Sequence, residues 1–485
     1  MKKSVSRRSF LAATMATGFV AGIAPKRTWG ATKVADVIVI GAGMSGLSAA
    51  ISLQDQGLNV LVLEADSRVG GRCYTMRNSS GTFDCGATTI GPYYGLVRTY
   101  AAIADVDLSL PRGRDRFSYH INGGFVHPDA WENSEYNRLV GEERAILPER
   151  LEFPILMKHN KIDDLAAWSS PEMLRYDVPL DMYLREHGAS EEAIRLIGLT
   201  SNTMGLSSTS ALFQMREFTR LSLPQSGSQK REVYAAGKDG SYHYVKGGTS
   251  VLVEGMAGLL KSGVRTNAAV TSILVEKDGV DVGLASGETL RAGSVICTAP
   301  FSAVRDIKIS PSPTGKQKLA IDRSAYTLTT HVIFLPKKPY WDRDGHPAGL
   351  VSDDLIERVF AHYDDEGKVS WLDVWLNGAA AAEVDTYDKT QILALTQQRL
   401  EALRPSMKGA LEPVDVYSWG QNPYVKGNKY IMRPGEAASM FPYLSETHAG
   451  RLFFAGEHTR DTEAGLEAAA ATGVREASKV IERFG

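Results

Sequence analysis

A short apolar run followed by a glycine-rich hexapeptide constrains the fold more than any other stretch of the chain. Residues 34–40 read VADVIVI, a β-branched segment that is typical of a strand buried in a parallel sheet. Residues 41–46 read GAGMSG, and a helical pattern of apolar residues then continues as far as Gly57. A second strand, residues 60–63, ends at Glu64. Strand, glycine turn, helix and second strand together predict a βαβ unit that binds a dinucleotide.

Each part of this unit has a physical role in such binding. Gly41 permits the tight turn, Gly43 lets the backbone approach a pyrophosphate, and Gly46 lets helix and strand pack closely. The helix then begins at Met44 and Ser45, where unpaired N–H groups and a partial positive charge face the phosphates. The hexapeptide by itself is compatible with NAD or FAD.

A loop with two glycines between two arginines follows the second strand. The carboxylate of Glu64 can accept both hydroxyls of an adenosine ribose. Residues 64–72 read EADSRVGGR, so Arg68 and Arg72 flank the glycine pair. The backbone of this loop can press against a flat or phosphorylated ligand, and the guanidinium groups are available to its oxygens.

Length, charge and residue spacing set further bounds. A chain of 485 residues is too long for one compact core, so two or more domains are expected. The formal net charge of −2 gives no electrostatic reason to expect a nucleic acid as partner. Since no cysteine or histidine group has the spacing of metal ligands, no metal site is expected.

The first 31 residues have the features of an export signal rather than of a fold. Arg7 and Arg8 lie in the sequence SRRSFL, which is followed by a weakly apolar segment, residues 11–24, and by Lys26 and Arg27. This pattern predicts a twin-arginine signal peptide over residues 1–31, with the export machinery as partner and the periplasm as destination. The apolar segment falls short of the ~20 residues that a membrane span needs.

The order of these motifs resembles the flavin-dependent amine oxidase family, which includes monoamine oxidases, polyamine oxidases and bacterial nicotine-type oxidases. The run EADSRVGGR after GAGMSG carries the first likeness. Residues 84–92, DCGATTIGP, are similar to the family's loop beside the isoalloxazine ring. Residues 245–252, VKGGTSVL, and 450–459, GRLFFAGEHT, resemble two later segments. The resemblance covers nearly all of residues 34–485 and implies FAD as cofactor.

The resemblance, together with the dinucleotide motif, assigns a set of residues to FAD. They come from the glycine turn, the second strand and its loop, the ring-side loop, an adenine-side strand and the C-terminal segments: Gly41, Gly43, Met44, Ser45, Gly46, Glu64, Ala65, Arg68, Gly70, Gly71, Arg72, Ala87, Thr88, Thr89, Val270, Trp419, Gly456, Glu457, Gly465, Leu466 and Glu467. Asn428 stands where some members have a cysteine that bonds the flavin, so the FAD is expected to be non-covalent.

These observations predict an α/β fold with two domains. An FAD-binding Rossmann-type domain is built from three separated segments: residues 34–111, 245–310 and 420–485. A mixed α+β substrate domain takes residues 112–244 and 311–419. In the first of its segments the strand pattern is lost, and apolar spacing predicts helices over residues 142–156, 171–187 and 191–204. Residues 224–240 are rich in Ser, Gly, Gln and Lys and predict a flexible loop.

The strand of residues 327–333, TLTTHVI, departs from the family pattern. Many members have a lysine there, about ten residues before an aromatic Pro-Phe/Tyr-Trp sequence, and it holds a water against the flavin. The landmark is present here at residues 339–341, PYW, but Thr330 or His331 takes the place of the lysine. His331 is either a strand residue with a satisfied ring, or a group that faces the flavin and assists proton movement.

The family's aromatic cage beside the flavin is depleted in this chain. Thr89 stands where the family usually has Trp or Tyr, one cage wall falls at Lys429 or Tyr430, and the other falls at Gly465. The catalytic candidates are the residues at the lysine and cage positions: Thr330, His331, Trp419, Lys429 and Tyr430. This depletion, and the lack of an arginine placed to hold a carboxylate, favour a secondary, cyclic or bulky amine over an amino acid.

The predicted reaction is FAD-dependent oxidation of an amine C–N bond to an imine, which water hydrolyses to a carbonyl. Electrons pass to oxygen or to a periplasmic redox acceptor. Two alternatives stay open: an FAD-dependent desaturase or porphyrinogen-type oxidase on the same fold, and a catalytically eroded FAD-binding protein. The sequence leaves the oligomeric state open, with a homodimer among the outcomes.

Overall fold

The computed structural model describes residues 33–110, 116–222 and 242–484. The predicted signal peptide, residues 1–31, and the predicted loop of residues 224–240 lie outside these ranges. Within them, no helix combines the length and the apolar character that crossing a bilayer requires.

The strands of the described residues are, in chain order, β1 Lys33–Ile40, β2 Val60–Leu63, β3 Thr75–Asn78, β4 Gly81–Asp84, β5 Thr89–Ile90, β6 Leu108–Ser109, β7 Phe117–Ile121, β8 Gly124–Val126, β9 His243–Val245, β10 Val264–Arg265, β11 Val270–Val275, β12 Val280–Leu284, β13 Thr289–Cys297, β14 Lys308–Ser310, β15 Ala325–Tyr326, β16 Thr329–Pro336, β17 Gly349–Ser352, β18 Arg358–Tyr363, β19 Val369–Asn377, β20 Leu411–Ser418, β21 Tyr430–Ile431 and β22 Leu452–Phe454. The α-helices are α1 Met44–Asp55, α2 Gly95–Ile103, α3 Glu152–His159, α4 Leu180–Glu186, α5 Glu191–Thr200, α6 Ala211–Ser222, α7 Thr249–Gly258, α8 Phe301–Val304, α9 Gly315–Arg323, α10 Tyr340–Asp344, α11 Gly378–Val384, α12 Lys389–Leu403 and α13 Gly465–Phe484.

A first sheet is assembled from three separated parts of the chain. Its strand order is β10-β2-β1-β13-β12-β11-β14, and β22 pairs with β13. The central strand β1 pairs in parallel with β2 on one side and β13 on the other. Its residues Val37, Ile38 and Val39 are fully buried, as the continuous β-branched run predicts. The predicted α/β class is therefore confirmed.

Two helices cover this sheet next to the glycine turn. Helix α1 starts directly after the turn, and the C-terminal helix α13 packs along it. The approach is close: a Cβ on Gly473 of α13 would lie 2.1 Å from the carbonyl oxygen of Ser45 in α1. Small residues at this contact fix the two helices beside the carboxyl end of β1.

A second sheet has the strand order β20-β16-β19-β18-β17-β7-β8. On one face, Val332 and Phe334 of β16 lie in an apolar core with Leu400 of α12. On the other face, Ile333 packs with Met76 of the β3–β4 hairpin, which belongs to the loop region after the glycine turn. Alternate side chains of β16 therefore face either α12 or the nucleotide-motif side of the molecule.

The helical prediction for the segment after residue 112 was partly wrong. Residues 117–126 form the strands β7 and β8 of the second sheet. The helix predicted over residues 142–156 is broken into 3₁₀ turns around Pro148, and α3 begins only at Glu152. A proline lacks the N–H that a helix interior needs, so the apolar spacing is carried by short turns instead.

The other two predicted helices are present but shorter. The prediction over residues 171–187 corresponds to α4, which begins after Pro179, and a 3₁₀ turn precedes it. The prediction over residues 191–204 corresponds to α5, which ends at Thr200. The side chain of Ser190 caps α5 by accepting from the N–H of Ala193.

Candidate active site

One cavity of about 790 Å³ extends from the carboxyl ends of β1 and β2 to Trp375 on β19 of the second sheet. Two parts of its wall differ in chemistry. The glycine end is lined by backbone turns and one carboxylate: Gly41, Gly43, Glu64, Gly70 and Gly71. The charged end is lined by long polar side chains from distant segments: Tyr94, Glu217, Arg220, Trp375 and Lys429.

The glycine end brings two turns together. The N–H of Gly70 donates to the carbonyl oxygen of Ala42 at 2.8 Å, and Gly43 and Gly70 form an isolated β-bridge. Gly43 is the N-cap of α1, and no side chain caps that helix end. Its N–H groups are thus open to an anion, and the N-terminus of α1 carries partial positive charge.

Gly46 has a packing role instead of a lining role. A Cβ at this position would lie 1.9 Å from the carbonyl oxygen of Gly41, so any side chain would push helix and turn apart. A Cβ on Gly43 would meet its nearest neighbour, the carbonyl oxygen of Gly70, at 3.8 Å, which is an ordinary contact. The protein itself therefore tolerates a methyl group at Gly43, and only a ligand would meet it.

Glu64 closes the glycine end. Its Oε2 accepts from the N–H of Ala42 at 2.7 Å, and its Oε1 accepts from the N–H of Asp66 at 2.9 Å. Burial raises the pKa of Glu64, against these two hydrogen bonds. Each carboxylate oxygen retains a second acceptor position, so a ribose hydroxyl can still bind there. An open helix N-terminus beside this buried acceptor fits an adenine dinucleotide.

Most of the residues that the sequence assigned to FAD line this one cavity. They are Gly41, Gly43, Met44, Ser45, Glu64, Ala65, Arg68, Gly70, Gly71, Arg72, Ala87, Thr88, Thr89, Val270, Gly456, Glu457, Gly465 and Leu466. Three assigned residues, Gly46, Trp419 and Glu467, do not line it.

Trp419 and Glu467 lie behind the wall of the cavity. Trp419 is fully buried, and its Nε1 donates to the carbonyl oxygen of Cys85 at 2.6 Å, which supports the 84–92 loop from behind. Glu467 accepts from the N–H groups of Leu96 and Val97 at 2.9 and 3.1 Å, at the N-terminus of α2. The prediction that Trp419 is a catalytic group in the cavity was therefore wrong.

Successive side chains of β16 point to opposite faces of the strand, and this alternation decides which of Thr330 and His331 is on the side of the cavity. Thr330 faces α11, where its hydroxyl donates to Asp385 at 2.7 Å, and it does not line the cavity. His331 lies on the opposite face of the strand, directly beside Trp375 of the neighbouring strand β19. Thr330 as a catalytic candidate was wrong, because successive strand residues point to opposite faces.

His331 lies one layer behind the cavity wall. Its Nδ1 is 3.0 Å from a carboxylate oxygen of Asp373, and the indole N–H of Trp375 donates to that same oxygen. His331 and Asp373 are buried, whereas Trp375 lines the cavity. The predicted direct contact of His331 with the cavity is therefore corrected: His331 and Asp373 together hold the indole that forms the wall.

Of the two candidates for the cage wall, Lys429 lines the cavity and Tyr430 does not. The ring of Tyr430 is buried edge-on against Phe213 and Tyr326, on the side away from the cavity. Tyr430 as a catalytic candidate was thus wrong for the same reason as Thr330, since neighbouring residues of an extended segment diverge.

Tyr94 fills the place where the second cage wall is missing. A Cβ on Gly465 would lie 2.6 Å from the hydroxyl oxygen of Tyr94. Burial raises the pKa of Tyr94, and the nearby Arg220 acts in the opposite direction. An aromatic ring thus reaches this part of the cavity from the segment before α2.

A chain of buried ion pairs connects the two ends of the cavity. Arg72 lies 3.4 Å from Glu457, and Arg460 pairs with the same carboxylate. Arg460 also lies 2.9 Å from Glu217, which is 3.0 Å from Arg216. All five side chains except Arg72 are almost completely enclosed.

Arg216, Glu217 and Arg220 belong to α6, and the sequence analysis missed them, as it missed Tyr94 and Trp375. One signal was available: the helix sequence ALFQMREFTR carries three charges among apolar residues, and charges on a buried helix face require partners. No arginine was predicted to hold a carboxylate, and the structure shows Arg220 among the residues that line the cavity.

Comparison with known proteins agrees with this geometry. A sequence model of the family described as flavin containing amine oxidoreductase matches residues 44–481. The chain is 26% identical to L-amino-acid oxidase of Mus musculus over 471 residues, covering 94% of this chain and 72% of that protein. It is 24% identical to flavin-containing amine oxidase B of Homo sapiens over 472 residues, covering 93% and 86%.

Two solved structures share the fold. Cyclohexylamine oxidase from Brevibacterium oxydans IH-35A superposes with a TM-score of 0.74 at 20% identity, covering 93% of this chain and 99% of that one. Putrescine oxidase bound to putrescine superposes with a TM-score of 0.73 at 21% identity and the same coverage.

Proposed function

The chain belongs to the flavin-containing amine oxidoreductase family, and from this premise we propose a periplasmic amine oxidase that holds its FAD without a covalent bond. FAD-dependent oxidation of an amine is the family's reaction. The observation that carries its assignment to these residues is one continuous cavity, which joins the glycine end to a region with aromatic and charged walls. A cavity of this kind can hold a substrate next to the reactive part of a bound cofactor, which supports the proposal.

The protein's own part in the reaction is binding, orientation and exclusion of water. FAD, when bound, accepts a hydride equivalent from the carbon next to the amine nitrogen. Tyr94 and Trp375 supply the aromatic walls that orient the substrate. Lys429 lines the same wall, and burial lowers its pKa; in its protonated form it favours the neutral, reactive form of an amine over the ammonium form.

The residues near the ring-side loop support non-covalent FAD. Asn428, at the position of the bonding cysteine of covalent members, lines the cavity and donates through Nδ2 to the hydroxyl of Thr329 at 3.2 Å. Cys73 also lines the cavity, but burial raises the pKa of its thiol to about 12. A thiol that stays protonated is a poor nucleophile.

Anaerobic mixing with a panel of primary, secondary and cyclic amines tests the reaction. We expect at least one amine to bleach the flavin absorbance band. Acid precipitation of the same sample should release all of the yellow cofactor into the supernatant, because nothing bonds it covalently. A flavin band that resists every amine would instead favour a desaturase or a catalytically eroded FAD-binding protein, and yellow colour in the pellet would contradict non-covalent binding.

Readmitting air distinguishes the electron acceptors. Rapid reoxidation with release of hydrogen peroxide identifies oxygen as the acceptor, whereas slow reoxidation favours a periplasmic redox protein. The twin arginines Arg7 and Arg8 support export of the folded, FAD-loaded chain. Fractionation of cells that express the full chain should find it in the periplasm, and cytoplasmic retention would contradict export.

A further inference from the structure

Two basic side chains at the charged end have no ion-pair partner among the residues that the structure describes. Arg220 and Lys429 both line the cavity, and across the described ranges no carboxylate lies within ion-pair distance of either. The Nε of Arg220 is enclosed and has no hydrogen-bond partner among the described residues. An enclosed, unpaired guanidinium nitrogen carries a desolvation cost that a bound acceptor would remove.

The carboxylates of the neighbouring network are already engaged. Glu217 also lines the cavity, but its Oε1 accepts from Arg216 at 3.0 Å and from Arg460 at 2.9 Å. Glu457 is shared between Arg460 and Arg72. The two carboxylates of Glu217 and Glu457 therefore already pair with three guanidinium groups. Arg220 and Lys429 are not among these pairs.

The electrostatics of the cluster agree with this balance. Burial alone would raise the pKa of Glu217, but Arg460, Lys429 and Arg216 outweigh it and hold that pKa well below its usual range. Burial lowers the pKa of Lys429; Glu217 opposes this shift, and Arg460 and Arg220 add to it. The buried Glu152 also opposes the shift, and the members of this cluster that line the charged end are one carboxylate, Glu217, and two basic side chains, Arg220 and Lys429.

We propose that the charged end binds a carboxylate through Arg220 and Lys429, so that the amine oxidised by this protein also carries an acid group. This inference rests on the proposed function, whose substrate class it specifies. A guanidinium fork pairs with a carboxylate through two hydrogen bonds, and an ammonium group adds a third. Such a ligand would provide the counter-ion that the described residues do not supply at this position.

The same arrangement disfavours substrates with a second amino group. A diamine would bring another positive charge to a cavity wall that already has unpaired cations, and like charges in a desolvated site repel strongly. A plain monoamine would leave Arg220 and Lys429 unpaired. Selectivity should therefore follow the order amino acid, monoamine, diamine.

Binding of benzoate to the FAD-loaded protein tests this directly, because benzoate has the carboxylate and no amine. We expect benzoate to perturb the flavin spectrum and to give a measurable Kd by calorimetry, with affinity falling at high salt. Benzamide, the neutral match, should bind at least about tenfold more weakly. Phenylphosphonate tests whether the site accepts a different anion. Equal affinity for benzoate and benzamide, or preference for phenylphosphonate, would overturn the proposal.

Variants locate the site. Arg220→Met and Lys429→Met should each weaken benzoate binding about tenfold and leave benzamide binding unchanged. Arg220→Lys and Lys429→Arg keep the charge and should retain most of the affinity, which covers the case in which a methionine variant folds poorly. Arg185→Met is the matched control, because Arg185 pairs with Glu191 on the surface at 2.6 Å. Wild-type benzoate affinity in both methionine variants would contradict the assignment.

Flavin reduction then tests the substrate class. Phenylalanine or 6-aminohexanoate should reduce the flavin at least about tenfold faster than phenethylamine, hexylamine or 1,6-diaminohexane at equal concentration. Faster reduction by the plain amines would overturn the inference while leaving the amine oxidase function intact. Benzoate binding without reduction by any amine would instead support the carboxylate site and contradict the proposed function.

Discussion

The two ends of the cavity are built in different ways. At the glycine end, the wall is backbone: two turns joined by the bond from Gly70 to Ala42, and the open N-terminus of α1. At the charged end, the wall is made of long side chains that come from α6, from the segment before α2 and from residue 429. A backbone wall is set by the local chain path, whereas a side-chain wall depends on partners that only the complete fold supplies.

The largest effect is expected where the side-chain wall depends on a buried charge. Arg460→Met leaves Glu217 and Glu457 short of a cation, and removing one partner of a buried pair costs about 3–5 kcal/mol of unfolding free energy. Thermal and urea unfolding of the FAD-loaded protein measure this loss. The control Arg265→Met breaks an exposed pair with Glu288, where a much smaller loss is expected because water screens both charges. Equal losses in both variants would show that the charged end is not held by its ion pairs.

An intermediate effect is expected at the backbone wall. Two glycine substitutions there distinguish a loss of FAD affinity from a loss of stability. Gly43→Ala places a methyl group 3.8 Å from its nearest protein neighbour, so the apo-protein should unfold as the wild type does, while FAD affinity falls at least about tenfold. Gly46→Ala places a methyl group 1.9 Å from the carbonyl oxygen of Gly41 and should lower both stability and FAD content. Titration of apo-protein with FAD, combined with thermal unfolding, checks both. Normal FAD affinity in Gly43→Ala would contradict binding of the pyrophosphate at this turn.

The last effect is confined to acidic pH and concerns a histidine in the core behind the glycine end. His458 is buried without a hydrogen-bond partner among the described residues, and burial, followed by Arg72 and Arg475, lowers its pKa from 6.5 to about 3. Below pH 6.5 the unfolded chain takes up a proton that the folded chain does not. Stability is therefore complete above pH 6.5 and falls on acidification toward pH 3, by about 1.4 kcal/mol per pH unit.

His458→Phe removes this contribution and keeps the ring contact with Phe301. The melting temperature of the variant should depend less on pH between 6.5 and 4 than that of the wild type. Glu152 and Glu467, whose pKa values burial raises to about 7, act in the opposite direction but equally in both proteins. Parallel curves for the two proteins would contradict a neutral, buried His458.

The same contrast explains which parts of the structure could be predicted from the sequence. The α/β fold and the lining roles of Gly43, Glu64 and Gly70 follow from adjacent residues, because turn, helix and strand are neighbours in the chain. To predict which face of β16 carries His331, one would have to know how β16 pairs with β19. To predict that Arg220 and Tyr94 line the same cavity, one would have to know how segments more than a hundred residues apart pack together. No local sequence pattern gives this information.

The departures from prediction in the second sheet have a similar origin. Strand β7 pairs with β17, which follows it by more than two hundred residues, and β8 pairs with β7, so the context of both strands was not visible in the local sequence. Proline positions such as Pro148 and Pro179 were visible, and they mark where the predicted helices break.

The shared pairing of Arg460 has a thermodynamic consequence. This guanidinium joins Glu457, which lines the cavity near Arg72, to Glu217, which lines the charged end. Any ligand that polarises one carboxylate changes the free energy of the other through their common cation. Because such coupling is reciprocal, an acid that binds at the charged end and alters the affinity for FAD must have its own affinity altered by FAD in the same ratio. For an acid that binds in the proposed way, the affinity for FAD and the affinity for the substrate would therefore be linked.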